Sequence, residues 1–178
     1  MAGTMFTDDA SSGRSPRQHF LDVFEREHQT TLRVLRGYPD DKLDLRPGEK
    51  SMSARELVKI FVLEQWLAER AMTEGFDWSS PPPAQPELPP TIEGVAQLLD
   101  ERHRTVVELV RDASDEDLAG TVKFFTAPKT LGDVPKLDFL WGMIYDQIHH
   151  RGQLSVYLRV AGAKVPSIYG PSADEPWT

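Results

Sequence analysis

Four stretches of this chain repeat apolar side chains every three or four residues, and no other feature constrains the fold as strongly. Phe20, Val23, Phe24, Leu32 and Leu35 mark the first, and Leu57, Ile60, Phe61, Leu67 and Ala71 the second. Val95, Leu98, Leu99, His103, Val106, Val107 and Val110 mark the third; Phe139, Leu140, Met143, Ile144, Leu154, Tyr157 and Leu158 mark the fourth. A period near 3.6 is that of an amphipathic helix with one face turned to a core. Helices are therefore predicted over about residues 17–36, 53–74, 91–112 and 137–160. Their ends carry matching signals. Gly37 and Pro39 stop the first, Ser53 with Glu56 reads as a capping box for the second, and Gly162 followed by Pro166 ends the fourth.

Between these helices the chain is loop-like. Residues 75–90 hold Pro81, Pro82, Pro83, Pro86, Pro89 and Pro90, which forbid helix and favour extended backbone. Residues 119–136 contain the β-prone run Thr121 to Phe125 among breakers, which suits a short hairpin or an irregular excursion. The tail after Val165 is apolar and stiffened by Pro166 and Pro171, so Ile168 and Tyr169 are expected to pack against the bundle near the fourth helix. The reading is all-α: an antiparallel-type four-helix bundle with a Pro-rich inter-helix loop and a packed C-terminal tail. A disordered leader is expected over 1–16 and a single domain over 17–178.

Composition removes several functional classes. There is no cysteine, which excludes disulfides, thiolate zinc sites and cysteine nucleophiles. The net charge is −8 and the lysines and arginines are scattered, so no basic stripe offers itself to nucleic acid. The longest apolar run, Phe139 to Tyr145, is too short to span a membrane. A cytoplasmic location is expected by elimination.

Polar residues inside the apolar stripes point to chemistry. Asp146 and His150 lie four residues apart, hence one turn apart on one helical face. Carboxylate and neutral imidazole suit Zn²⁺, Ni²⁺, Mn²⁺ or Fe²⁺, although an ion pair without metal has the same spacing. Glu64 interrupts the stripe of the second helix, where an unpaired carboxylate costs several kcal/mol. A metal would satisfy it; so would Arg151 or Arg159. His28 faces inward on the first helix, as a further ligand or as a hydrogen-bonded core histidine. His103 reads as structural.

The segments His149-His150-Arg151-Gly152-Gln153, Tyr157-Leu158-Arg159, Gly162, Val165-Pro166 and Ile168-Tyr169-Gly170-Pro171 carry a family resemblance. Ser53 to Leu57 and Thr130 to Asp133 add to it. From about Arg17 onward the sequence resembles the DinB-like (YfiT-like) superfamily of metal-dependent four-helix bacterial proteins, named for DNA-damage-inducible expression. The resemblance implies one histidine ligand on the second helix and two, four apart, on the fourth. His150 matches the second of that pair and Asp146 stands where the first would be. The second-helix position falls at or near Ile60, which binds no metal, and Glu64 one turn on is the nearest replacement. The resemblance also implies a small-molecule transferase or hydrolase, a low-molecular-weight thiol as cosubstrate, and a homodimer. The expected ligands are Asp146, His150 and Glu64, with His28 as a fourth or as a base behind them; Tyr157, Arg151 and Gln153 are expected around the substrate. The competing expectation is a non-catalytic, stress-linked binding or scaffold protein whose site holds no metal, with Glu64, Asp146, His28 and His150 networked to Arg151 or Arg159.

Overall fold

The computed structural model describes residues 13–178, so the expected leader lies outside the described residues as far as Ser12. Ser15 already caps the first helix, accepting from the Gln18 amide at 3.2 Å. Helix α1 runs Pro16–Arg36, with proline in the first turn, where no amide hydrogen is required. Helix α2 runs Ala54–Met72 behind the predicted capping box: the Ser53 amide donates to Glu56 Oε2 at 2.6 Å and the Glu56 amide to Ser53 Oγ at 3.2 Å. Helix α3 runs Ile92–Asp112 from a Thr91 cap. A short helix that the sequence reading lacked, α4, spans Asp115–Ala119 on its own Ser114–Asp117 box.

Residues 121–135 form the hairpin, one of the two forms the sequence left open. Strand β1, Thr121–Ala127, pairs antiparallel with β2, Thr130–Pro135, across a turn in which Lys129 sits at φ 60°. Helix α5, Lys136–Val160, is the longest. Gly162 at φ 77° then turns the chain so that the Ala163 amide bonds the Leu158 carbonyl at 2.9 Å.

The helices pack as a ring in the order α1, α3, α2, α5, so sequence neighbours α1 and α2 lie across the diagonal. Two apolar cores fill the ring. One collects Phe20, Phe24, Ala68, Val106, Val110, Leu140 and Ile144, and the other Leu32, Leu35, Leu57, Phe61, Val95, Leu99, Leu154 and Leu158. The order of these residues fixes direction: α1 and α5 enter through the first core, α2 and α3 through the second. This corrects the antiparallel-type expectation, because the α1–α5 and α2–α3 neighbours are parallel. Two parallel helices in sequence need a connection that returns the length of α2, about 28 Å. Residues 73–91, stretched by their prolines, reach up to ~60 Å and suffice.

Between the two cores lies a polar waist. Every long helix contributes: Glu27, His28 and Thr31 from α1, Glu64 and Gln65 from α2, His103 from α3, Gln147 and Arg151 from α5, all buried. The tail packs as expected. Ile168 rests partly buried on the second core, and the Tyr169 ring is half-exposed while its hydroxyl reaches Glu27 and Arg151 in the waist.

Candidate metal centre

At the α2–α5 seam the waist carries more acid than base. Glu64, 3 % exposed, presents Oε1 to His150 Nδ1 at 3.1 Å. One turn earlier on α5, Asp146 Oδ1 stands 3.6 Å from the same nitrogen. One ligand atom from each residue falls within 4.8 Å of the other two. The antiparallel crossing of α2 and α5 makes this possible, since it sets one residue of α2 against an i, i+4 pair of α5. Asp146 is half-exposed and forms the open side of the cluster.

Burial pushes the Glu64 carboxyl up to about 7, and the charge of Asp146 adds to the rise; the bond to His150 opposes it. His150 is raised in turn, first by its bond to Glu64. Glu64 Oε2 is buried without a hydrogen-bond partner, and no Lys or Arg pairs with Glu64 among the described residues. Two carboxylates thus converge on one imidazole with an acceptor oxygen to spare. A divalent cation fits this donor set, because it would neutralise both acids and engage lone pairs that the protein leaves unused.

The other predicted site residues lie elsewhere. His28 is not at this cluster: its Nε2 meets Asp100 Oδ1 at 3.0 Å and its ring stacks on His103 at 3.7 Å and 2°. His103 Nε2 reaches Glu25 Oε2 at 2.9 Å, so the two imidazoles cross-pair with carboxylates of the opposite helix. Arg151 does not line a pocket; it is 1 % exposed and bonds Glu27 Oε2 at 2.7 Å and the Glu27 carbonyl at 3.0 Å. Arg159 pairs with Asp174 at 2.7 Å, so neither arginine completes the network expected of a metal-free site. Tyr157 is buried and donates to the Met52 carbonyl at 2.8 Å, away from the cluster. Gln153 touches only the rim, 3.0 Å from His149 Nε2.

Sequence reasoning missed the partners rather than the inward residues. Glu25, Glu27 and Asp100 carry no signal in the sequence beyond a spacing of three or fewer from an inward histidine. It missed as well the aromatic wall beside the cluster, where Trp78 of the Pro-rich loop and Phe124 and Phe125 of β1 meet Phe139 of α5 through ring contacts of 4.7–5.7 Å. Among the described residues no helix is long and apolar enough to cross a membrane.

A family model described as the DinB family matches residues 5–177. The uncharacterized protein YrdA of Bacillus subtilis is 26% identical over 159 residues, covering 88% of this chain and 90% of that protein. A DinB-like protein from Bacillus cereus superposes with a TM-score of 0.66 at 23% identity, over 84% of this chain and 95% of that one. YfiT from Bacillus subtilis, described as a probable metal-dependent hydrolase with an unusual four-helix bundle topology, superposes with a TM-score of 0.62 at 17% identity, over 89% and 95%. At these identities the solved structures attest the fold.

Proposed function

The chain belongs to the DinB family, and we propose that it is a metal-dependent hydrolase of a small organic molecule, its cation held by Glu64, Asp146 and His150. The observation that carries this reading is Glu64 itself, buried with its Oε2 outside any hydrogen bond and grouped with a second carboxylate and one imidazole rather than with a lysine or arginine. The description of YfiT as metal-dependent supports it.

The donor set favours hydrolysis over thiol transfer. Two carboxylates and one imidazole are harder than the three-histidine set of the family pattern, and they suit a cation that holds water rather than thiolate. Such a cation, when bound, lowers the pKa of a coordinated water and polarises a carbonyl or phosphoryl oxygen. The protein's own contributions are local. Glu64 is fixed on a rigid helix inside the waist, His150 is oriented by Glu64, and Asp146 faces the solvent side from which a substrate would arrive. Removing the carboxylates removes the charge that selects a cation.

A second reading, a bundle that binds no metal, draws on Ile60, which packs against the core at or near the position where the family resemblance implies a histidine. Equilibrium dialysis against Mn²⁺, Zn²⁺ and Ni²⁺ with elemental analysis separates the two. One equivalent of a divalent ion is expected for the wild-type chain and for His28→Gln, and none for the Glu64→Gln, Asp146→Asn double variant. Equal metal content in all three, or none in the wild type, would overturn the assignment.

A further inference from the structure

The Pro-rich crossover that returns the chain from α2 to α3 and the hairpin before α5 meet on one side of α5. Trp78 Nε1 donates to the Lys123 carbonyl at 2.6 Å, which ties the loop to β1. The Trp78 ring then stands edge-on to Phe125 at 4.7 Å, and Phe124 edge-on to Phe139 at 4.9 Å. Burial explains the inner rings, since Phe139 and Phe124 belong to a small apolar cluster with Ala71, Val122 and Phe76, but it does not explain the outer ones. Phe125 is 48% exposed and Tyr145 64%, and both line one cleft, while Trp78, 41% exposed, stands against Phe125 outside that lining. Exposed apolar side chains gathered in one place mark a ligand groove more often than chance scatter does.

Between the hairpin and α5 these rings bound an open cleft of about 490 Å³, walled by Phe124, Phe125, Phe139 and Tyr145. Asp146, the exposed member of the candidate metal cluster, lies in the same cleft. The charged side chains lining it are Asp138 and Asp146, with His149 beside them, and no Lys or Arg lines it among the described residues. An anionic group held against the aromatic wall would meet acid without a counter-charge.

We propose that this cleft binds the uncharged, aromatic end of a small organic substrate and directs its reactive group toward Asp146 and the metal cluster. The proposal rests on the hydrolase reading for the word substrate, and the cleft's preference stands on its own walls. The aromatic rings supply flat apolar contact and edge-to-face partners. The acidic rim sets the sign: a neutral or cationic group is accepted there and an anionic one is rejected. A low-molecular-weight thiol bearing carboxylates suits this cleft poorly.

The test uses naphthalene-2-carboxamide and naphthalene-2-sulfonate as probes, with the full chain held in chelator so that the cleft alone is read. Binding is followed by protein NMR, with Trp fluorescence as a second signal because Trp78 contacts Phe125. The amide is expected to shift resonances of Phe125, Tyr145, Asp146 and His149, and to bind about tenfold more tightly than the sulfonate. Phe125→Ala and Tyr145→Ala, both at exposed positions and so compatible with an intact fold, should each weaken the amide by about fivefold to tenfold. Thermal melts and the NMR spectra of the variants establish that they are folded. Equal binding of the two probes, shifts confined to another face, or variants that bind like the wild type would each overturn the proposal. The dialysis experiment fails independently: metal uptake with no amide binding removes the cleft and leaves the hydrolase reading, while amide binding with no metal uptake does the reverse.

Discussion

The two antiparallel seams of the bundle are built from the same residue types and reach opposite outcomes. At the α1–α3 seam two imidazoles meet two carboxylates. His28 bonds Asp100, His103 bonds Glu25, and the rings stack at 3.7 Å. At the α2–α5 seam one imidazole meets two carboxylates, and Glu64 Oε2 is left buried without a partner. Stoichiometry separates them. A neutral Nε2–H for each carboxylate completes the first seam, and its spare Nδ1 atoms are acceptors on neutral rings, less costly to bury than a charge. The second seam has one acid more than it has bases, and while water reaches the half-exposed Asp146, the buried Glu64 is left for a proton or a cation to answer. A third cluster in the waist, Glu27 with Arg151 and Tyr169 at the α1–α5 seam, is complete in the ionic sense, with full charges of opposite sign. Complete seams should carry stability and the incomplete one binding.

Breaking the ionic seam should show the largest effect. Glu27→Ala leaves the Arg151 guanidinium, 1 % exposed, without its carboxylate. Removing one partner of a buried pair costs about 3–5 kcal/mol. Urea unfolding should therefore place the midpoint far below that of the wild type with little change in metal content. A loss under about 1 kcal/mol would show that water reaches Arg151 and that the waist is not dry.

Acid should break the imidazole seam next. Burial, and then the proximity of His28, push His103 down to about 4 from its ordinary 6.5, and burial lowers His28 as well. The unfolded chain takes up a proton on His103 below 6.5, whereas the folded chain refuses it until about 4. Protonation in that window favours unfolding, so the contribution of His103 is complete above pH 6.5, falls as pH drops, and is spent near pH 4. The interval is worth about 3 kcal/mol for His103, which is 2 % exposed. Glu25 and Asp100 face the two rings from opposite helices and limit the fall of the histidines, but both carboxyls are held below their ordinary values, so their own protonation adds to the loss at lower pH. His103→Phe keeps a ring on His28 but cannot titrate, so its stability measured in urea between pH 7.5 and 4.5 should fall less than the wild type's. Parallel pH profiles would refute the neutral-pair description.

The sequence showed the inward residues because helical periodicity reports which face a side chain takes. His28, Glu64, Asp146 and His150 all lie in or beside apolar stripes, and the four long helices were legible for the same reason. Partnership was not legible, because it depends on which helices adjoin and in which direction. Arg151 was a candidate pocket residue until the parallel α1–α5 packing set it against Glu27. His28 was a candidate ligand until the ring order α1, α3, α2, α5 placed α3 beside α1, and with it Asp100 and His103. The hairpin stayed ambiguous because seven residues of β1 alternate only weakly, with Val122 the one buried position.

The smallest effect discriminates best, because its sign is unusual. Glu64→Leu exchanges a buried carboxyl for an apolar side chain of similar volume in a helix that already packs Leu57, Phe61 and Ala68 inward. Holding Glu64 in place costs the folded chain free energy, as its rise to about 7 records. His150, 12% exposed, loses its Glu64 partner but keeps Asp146 at 3.6 Å, so the substitution does not strand a buried charge. In chelator the variant should be more stable than the wild type by about 1–2 kcal/mol, in line with replacing buried ionic groups by apolar ones. Added Mn²⁺ or Zn²⁺ should raise the wild-type melting temperature by mass action and leave the variant unmoved, so the order of stabilities reverses as metal increases. A complete seam cannot behave this way, since His103→Leu or Glu27→Leu removes a satisfied partner. If Glu64→Leu destabilises the chelated protein, Glu64 is a structural residue of the waist and the contrast between the two seams fails.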